Sequence, residues 1–223
     1  ANNCYELASI YKPHLSVGGD YFDYAEPDDS CLVFCVADIA GKGLAAALLM
    51  ANFQANFHAL LQQGKPLQEF IQDLNASVLR ITKGERYLTF FIGHYHRAKR
   101  QLQYINAGHQ PPLLLQNGQV QELTKGCTII GYFEQLPEIE VGELKIPGEA
   151  LLLSFTDGLI DIQNEDGDFY DIDILKDFAQ HHLQDGATEF NRKLLKHLQI
   201  FQGGTDFPDD FPLLTCRIKA PGS

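Results

Sequence analysis

The residues best placed to do chemistry in this chain are aspartates set beside glycines at the ends of apolar runs. Asp20 follows Gly18-Gly19, Asp38 precedes Ile39-Ala40-Gly41, Asp157 precedes Gly158, and the pair Asp209-Asp210 precedes the last apolar segment. Any one of these alone is ordinary turn chemistry, because Asp and Gly both favour places where the backbone reverses. Four such places in one chain shift the balance towards a shared site. Carboxylates delivered to the ends of core strands repel one another unless positive charge neutralises them. Hard divalent cations with oxygen ligands are the natural neutraliser, and Mg2+ or Mn2+ accepts carboxylates completed by water. The neighbouring glycines let carbonyl oxygens and waters approach closely.

Other chemistries fit less well. No cysteine has an arginine six positions on, which disfavours a thiolate phosphatase mechanism. The five cysteines are scattered and lack a C-x-x-C pair, and most read as buried small hydrophobes in a reducing compartment. A zinc site on Cys31 and Cys35 is the sharper alternative, but Cys-Leu-Val-Phe-Cys-Val reads as a buried strand. Lys42 lies between two glycines, yet Val36 occupies the first glycine position of a phosphate loop. It reads as a turn lysine, with a place near substrate as the alternative. Asn164, Asp166 and Asp168 imitate a calcium loop, but Phe169 and Leu175 stand where Gly and Glu are required. The His94/His96 and His181/His182 pairs do not adjoin the aspartate motifs.

Composition narrows the class further. With 29 acidic against 17 basic residues and a net charge of -12, phosphate neutralisation has little to work with, so nucleic acid is not an expected partner. Fifteen Phe, nine Tyr and 45% hydrophobic residues describe a chain with a core rather than a solvated tail. No apolar run reaches the ~20 residues that would span a bilayer, and no membrane contact is expected.

The elements that must position the acids follow from periodicity. Leu32 to Ile39 is a continuous apolar run, as expected of a core strand carrying Asp38 to its end. Leu44 to Gln63 is Ala- and Leu-rich and stops at Gly64. Being apolar nearly all round at its start, this helix is expected to be buried, with Leu48, Leu49 and Met50 in the core. After Pro66, the apolar residues Leu67, Phe70, Ile71, Leu74, Val78 and Ile81 predict an amphipathic helix. Tyr87–His96 and Gln101–Ala107 predict one hairpin, and Asn117-Gly118 between Leu113–Gln116 and Gln119–Leu123 predicts another. Strands are expected at Glu140–Ile146, Ala150–Phe155 and Leu213–Ile218, and helices at Asp171–Leu183 and Thr188–Gln199. Strands in blocks with helix pairs between them favour an α+β sandwich of antiparallel sheets over a doubly wound parallel fold. No linker or repeat divides the chain, so a single domain over 1–223 is expected, excised from a larger protein, with 220–223 as a flexible tail.

The motifs together resemble a known family. Gly18-Gly19-Asp20-Tyr21-Phe22-Asp23, Val36-Ala37-Asp38-Ile39-Ala40-Gly41-Lys42-Gly43, Asn106-Ala107-Gly108-His109, Phe155-Thr156-Asp157-Gly158 and Asp209-Asp210 occur in the order seen in PP2C-like metal-dependent Ser/Thr phosphatases of the bacterial SpoIIE/RsbU branch. The resemblance spans Gly18 to Arg217. It implies a PP2C-like four-layer α-β-β-α sandwich and a site for two or more Mn2+ or Mg2+ ions. Carried over, Asp20 and Asp38 would be ligands, with Asp38 bridging and Ile39 offering its carbonyl. Asp157 and Asp209 would complete the first position, with Asp210 as the alternative to Asp209, and Asp23 would orient waters. The implied mechanism is in-line attack on phosphorus by a hydroxide bridging the two metals.

His109 would be either a leaving-group acid or phosphate contact, or a hydrogen-bonded histidine holding a turn. The first helix would couple regulatory contacts to the metal site. The implied substrate is phosphoserine or phosphothreonine on a STAS-type anti-sigma-factor antagonist in the cytoplasm. An N-terminal sensor or receiver module is implied, and helices near it could mediate a homodimer. Departures are Tyr170 where relatives carry Gly, and Phe211-Pro212 in the closing motif, where Pro should make the strand begin later or lie at an edge. Two alternatives stay open: a pseudophosphatase acting as a phosphoprotein-binding module, and another binuclear metallohydrolase acting on a small phosphate or nucleotide.

Overall fold

The computed structural model describes residues 4–12, 19–41, 43–204, 207 and 211–221. Lys42, Asp209, Asp210 and the last two residues of the expected tail lie outside the described residues. The strands are β1 (Tyr5–Lys12), β2 (Asp20–Asp28), β3 (Cys31–Ile39), β4 (Leu88–His96), β5 (Gln101–Ala107), β6 (Leu113–Gln116), β7 (Gln119–Glu122), β8 (Gly126–Cys127), β9 (Gly142–Lys145), β10 (Ala150–Phe155) and β11 (Phe211–Ile218). The helices are α1 (Leu44–Leu61), α2 (Leu67–Thr82), α3 (Ile172–His181) and α4 (Ala187–Gln202), with a 3-10 turn at Asp157–Leu159.

The fold is mixed α+β, with two sheets flanked by helices, and it divides into two compact units. One comprises 1–14, 110–122 and 146–223; the other comprises 15–109 and 123–145. In the second unit the sheet runs β2-β3-β4-β5-β8, with β9 also paired to β5. All of its ladders are antiparallel except the two-residue pairing of β5 with β8. One face carries α1 and α2. Cys31, Val33, Cys35, Ala37 and Ile39 of β3 share a buried cluster there with Phe90 and Ile92 of β4 and with Phe53, Phe57, Phe70 and Leu74 of the helices. Edge-to-face rings knit this layer: Phe53 packs on Tyr21 (5.6 Å) and Phe90 (5.4 Å), and Phe57 on Phe70 (5.8 Å). Such pairs add about 0.5–1.5 kcal/mol each beyond their area burial. The alternate residues Leu32, Phe34 and Val36 are also buried, so β3 is apolar on both sides.

Helix α1 does not lie buried all round as its composition suggests. Ala46, Leu49, Phe53, Phe57 and Leu60 face the sheet, whereas Leu48 is 58% exposed. Leu49 is in the core and Met50 packs at its margin, so the core expectation holds for one residue and part of another. An Ala/Leu-rich helix has no polar side from which to read its orientation.

In the other unit the sheet runs β1-β11-β10-β6-β7, all antiparallel. Helices α3 and α4 cover one face through Leu175, Ala179, Phe190, Leu194 and Leu198, against Leu113, Leu151, Leu153 and Phe155. Asp171 caps α3 by accepting from the Asp173 and Ile174 amides. Between β6 and β7, Asn117 (φ 53°) and Gly118 (φ 73°) form the tight turn the sequence predicts, since a type I′ turn needs positive φ at both positions.

Pro212 departs from expectation. It sits within β11 opposite Tyr11, and β11 is an interior strand that begins at Phe211. The ladder to β10 ends at Leu213, so position 212 lies beyond that neighbour, at the strand start where a missing amide is tolerated. Tyr170 is fully buried, stacking edge-on against His197 (5.6 Å) and Phe201 (5.2 Å) as part of the α4 core.

Candidate metal centre

The strand pairing of the second unit brings two of the expected ligands together. Asp20, the first residue of β2, is the register partner of Asp38, next to last in β3. Opposed residues in an antiparallel pair have Cβ atoms about 4.5–5.5 Å apart and point to the same face, so like charges there are destabilising unless compensated. That face is the one turned away from α1 and α2, because Ala37 and Ile39 on either side of Asp38 point into the helix-covered cluster. Asp38 is in turn the partner of Thr89 on β4. Thr89 Oγ1 lies 2.8 Å from His109 Nδ1. A row Asp20–Asp38–Thr89 thus crosses three strand ends, with the buried His109 behind it.

Glycine makes room here. A Cβ on Gly19 would stand 2.9 Å from the Ile39 carbonyl oxygen and 3.2 Å from that of Gly41, both backbone atoms. The chain before Asp20 and the turn after Asp38 can approach so closely only because position 19 has no side chain. Carboxylates together with main-chain carbonyls are the oxygen donors that Mg2+ or Mn2+ takes, so the residues at this strand end fit such a cation in kind.

The turn after Asp38 is pinned by residues with no sequence signal. The Ala40 amide donates to the Tyr87 carbonyl (3.1 Å), and Arg86 Nη1 donates to the Ala40 carbonyl (2.8 Å). Gly41 has φ 111°, and any Cβ there would run into the Arg86 guanidinium. Arg86 lies in an unremarkable polar stretch, Lys83-Gly84-Glu85-Arg86, so its part could not be read from local pattern.

The Asn-Ala-Gly-His motif is a structural clamp. Asn106 Nδ2 donates to the Leu123 carbonyl (3.0 Å) and its Oδ1 accepts from the His109 amide (2.7 Å). Gly108 takes φ 66° against Ile129. His109 is thus hydrogen-bonded through its ring and through its main-chain amide.

Asp23 differs from expectation. Three residues on from Asp20, it projects to the opposite face of β2, where its register partner is Cys35 of the helix-side core. Its Oδ2 accepts from the Tyr21 hydroxyl (2.5 Å) and lies 2.7 Å from His58 Nε2 on α1. Burial, with the adjacent Asp23 carboxylate, pushes the Tyr21 hydroxyl far up, keeping it a proton donor. Asp23 therefore ties β2 to α1, and strand alternation forbids it from facing the same side as Asp20.

Asp157 lies in the other unit, at the first position of the 3-10 turn directly after β10 and Thr156, and it is exposed. Its carbonyl accepts from the Ile160 and Asp161 amides (2.9 Å each). Among the described residues, no group of three or more His, Cys, Asp or Glu side chains could hold a metal ion. Burial holds four of the five cysteines as thiols. Burial raises Cys35 well above its usual range, Cys31 and Cys127 to about 11, and Cys216 to about 12, while Cys4 is exposed. No helix among the described residues is long and apolar enough to cross a membrane.

Comparison with known proteins identifies the family. The description "Stage II sporulation protein E (SpoIIE)" matches residues 28–219, and the chain belongs to that family of PP2C-type domains. It is similar to the phosphoserine phosphatase RsbU of Bacillus subtilis (strain 168), 25% identical over 219 residues, covering 96% of this chain and 63% of the relative. It is also similar to the phosphoserine phosphatase RsbP of the same organism, 26% identical, covering 98% of this chain and 53% of the relative. The chain thus spans less than two thirds of the length of either. Among solved structures it resembles the SiaA-PP2C domain of Pseudomonas aeruginosa, with a TM-score of 0.85 and 21% identity, over 96% of this chain and 86% of that one.

Proposed function

We propose that this chain is the catalytic domain of a metal-dependent protein serine/threonine phosphatase that removes phosphate from phosphoserine or phosphothreonine on a regulatory protein. By resemblance the substrate is a STAS-type anti-sigma-factor antagonist. The observation that carries this reading is the opposed pair Asp20 and Asp38 at one sheet end, beside the carbonyls that Gly19 admits. Two or more Mn2+ or Mg2+ ions would be held by Asp20, Asp38, the Ile39 carbonyl, Asp157, and Asp209 or Asp210. When bound, such cations would let a water lose its proton near neutral pH and so become a nucleophile for phosphorus, and they would offset the charge on the phosphoryl oxygens.

The chain's own residues hold this arrangement in place. Arg86 and Tyr87 fix the turn that follows Asp38, and Asp23 with His58 anchors the strand of Asp20 to α1. His109, bonded to Thr89 beside Asp38, acts as a positioning group for that carboxylate. In the full-length protein the domain would work in the cytoplasm, attached to an N-terminal sensor or receiver module, and helices near that module could mediate a homodimer.

The test is Mn2+-dependent hydrolysis of p-nitrophenyl phosphate and of a serine-phosphorylated protein. Asp38→Ala and Asp157→Ala are expected to abolish both activities, with the circular dichroism of the folded chain retained. Full turnover in both variants, or in the presence of chelator, rules the reading out.

A further inference from the structure

The turn that carries Asp38 is bordered by a surface the chemistry does not use. Tyr87, Tyr132 and Phe133 are 43%, 59% and 42% exposed, yet they touch one another: the Tyr87 and Tyr132 rings are 6.5 Å apart, and those of Tyr132 and Phe133 are 4.9 Å apart, both edge-on. Scattered exposed apolar residues need no explanation, but contiguous exposed aromatics mark interaction surfaces, where Tyr and Phe are enriched.

This surface is held rigidly. Asn75 of α2, fully buried, donates from Nδ2 to the Phe133 carbonyl (2.8 Å) and accepts the Gly131 amide on Oδ1 (2.8 Å). The Leu136 amide reaches Gln72 Oε1 (3.4 Å). A fully buried amide side chain that satisfies two backbone groups fixes this loop in place while its aromatic rings stay in water.

Position and charge identify the occupant. Tyr87 is the residue whose carbonyl accepts the Ala40 amide, so the patch adjoins the Asp38 turn directly. The segment entering it, Arg80 to Arg86, carries Arg80, Lys83 and Arg86 against Glu85 alone, in a chain whose net charge is -12; Glu134 follows Phe133. A phosphoserine brings about -1.5 to -2 charges at neutral pH, which this chain as a whole repels and this segment attracts. We propose that the aromatic surface of Tyr87, Tyr132 and Phe133, with the basic segment beside it, docks the body of the phosphoprotein substrate while its phosphate meets the Asp20–Asp38 end of the sheet. The proposal rests on the phosphatase reading above and adds to it the recognition of a folded partner, which a small phosphate ester would not need.

The two are separable by substrate. Tyr132→Ala/Phe133→Ala is compared with wild type on p-nitrophenyl phosphate and on the serine-phosphorylated STAS-domain protein of the same genome. The expected result is a kcat/KM at least tenfold lower on the protein, mostly through KM, with p-nitrophenyl phosphate turnover unchanged. Tyr132→Phe, which keeps the ring, is expected to stay near wild type. Lys83→Glu is expected to lower kcat/KM on the protein at low salt, with a smaller effect at high salt. Docking alone is overturned by an equal fall on both substrates, by no fall on the protein, or by a change in oligomeric state of the double variant in sedimentation, which would assign the patch to a second copy of the chain. A wild type active on p-nitrophenyl phosphate but not on the STAS phosphoprotein overturns docking together with its substrate class. A wild type inactive on both overturns the phosphatase reading, and substrate docking with it.

Discussion

Gly19→Ala tests the geometry of the site with a single carbon. The added Cβ would sit 2.9 Å from the Ile39 carbonyl oxygen and 3.2 Å from that of Gly41, where ordinary van der Waals contact begins at 3.4 Å. Either carbonyl must then retreat, by 3.4 − 2.9 = 0.5 Å for Ile39 and 3.4 − 3.2 = 0.2 Å for Gly41. Both contacts are main chain, and Arg86 and Tyr87 pin the turn at Ala40, so the strain cannot relax through a side chain. Overpacking of this kind costs about 1–3 kcal/mol of stability. A misplacement of about 1 Å near reacting groups costs ~100-fold in rate, so about half that displacement should lower kcat/KM by roughly tenfold. The assay pairs urea denaturation with p-nitrophenyl phosphate hydrolysis across a Mn2+ titration. The expected result is a lower denaturation midpoint, reduced kcat/KM, and a higher Mn2+ concentration for half-maximal rate. A variant as stable as wild type with an unchanged Mn2+ requirement would show that the Ile39 carbonyl has no part in the site.

Two further changes probe the surroundings. Asn75→Ala leaves the buried Gly131 amide and the partly buried Phe133 carbonyl without these partners, and urea denaturation should show about 2–6 kcal/mol lost, at the lower end if water reaches the carbonyl, since each unsatisfied group costs about 1–3 kcal/mol. Burial holds His94 down to about 4 from its usual 6.5, so the unfolded chain takes up a proton between those values and the folded chain does not. Stability from this group is therefore complete above pH 6.5 and falls as pH drops towards 4, by about 3 kcal/mol in all. His94→Gln should flatten that limb of the stability curve between pH 6.5 and 4, as followed by urea midpoints; an unchanged slope would refute the assignment.

Much of the architecture was legible because it depends on near neighbours. The Asn117-Gly118 turn, the stripe of α2 and the continuous apolar run of β3 each state their conformation within a few residues. The ordered aspartate motifs likewise pointed to a family that the comparisons confirm. The exposed side of α1, by contrast, could not be read, because Leu48 and Leu49 are chemically alike and only the sheet beneath decides which is covered. Pro212 predicts a later strand start or an edge position, and the structure instead accommodates it in an interior strand where the β10 ladder has ended.

The sequence by itself determined the family, through ordered motifs, and which segments become strand or helix, since both are properties of residue type and short-range spacing. Tertiary structure decided that Asp20 opposes Asp38 rather than some other residue of β3, that Asp23 turns to the helices to meet His58, and that Arg86, 48 residues beyond Asp38, closes the turn behind it. Those outcomes depend on strand register. A shift of one residue reverses every side chain, and register is set by the whole packed face rather than by any local stretch.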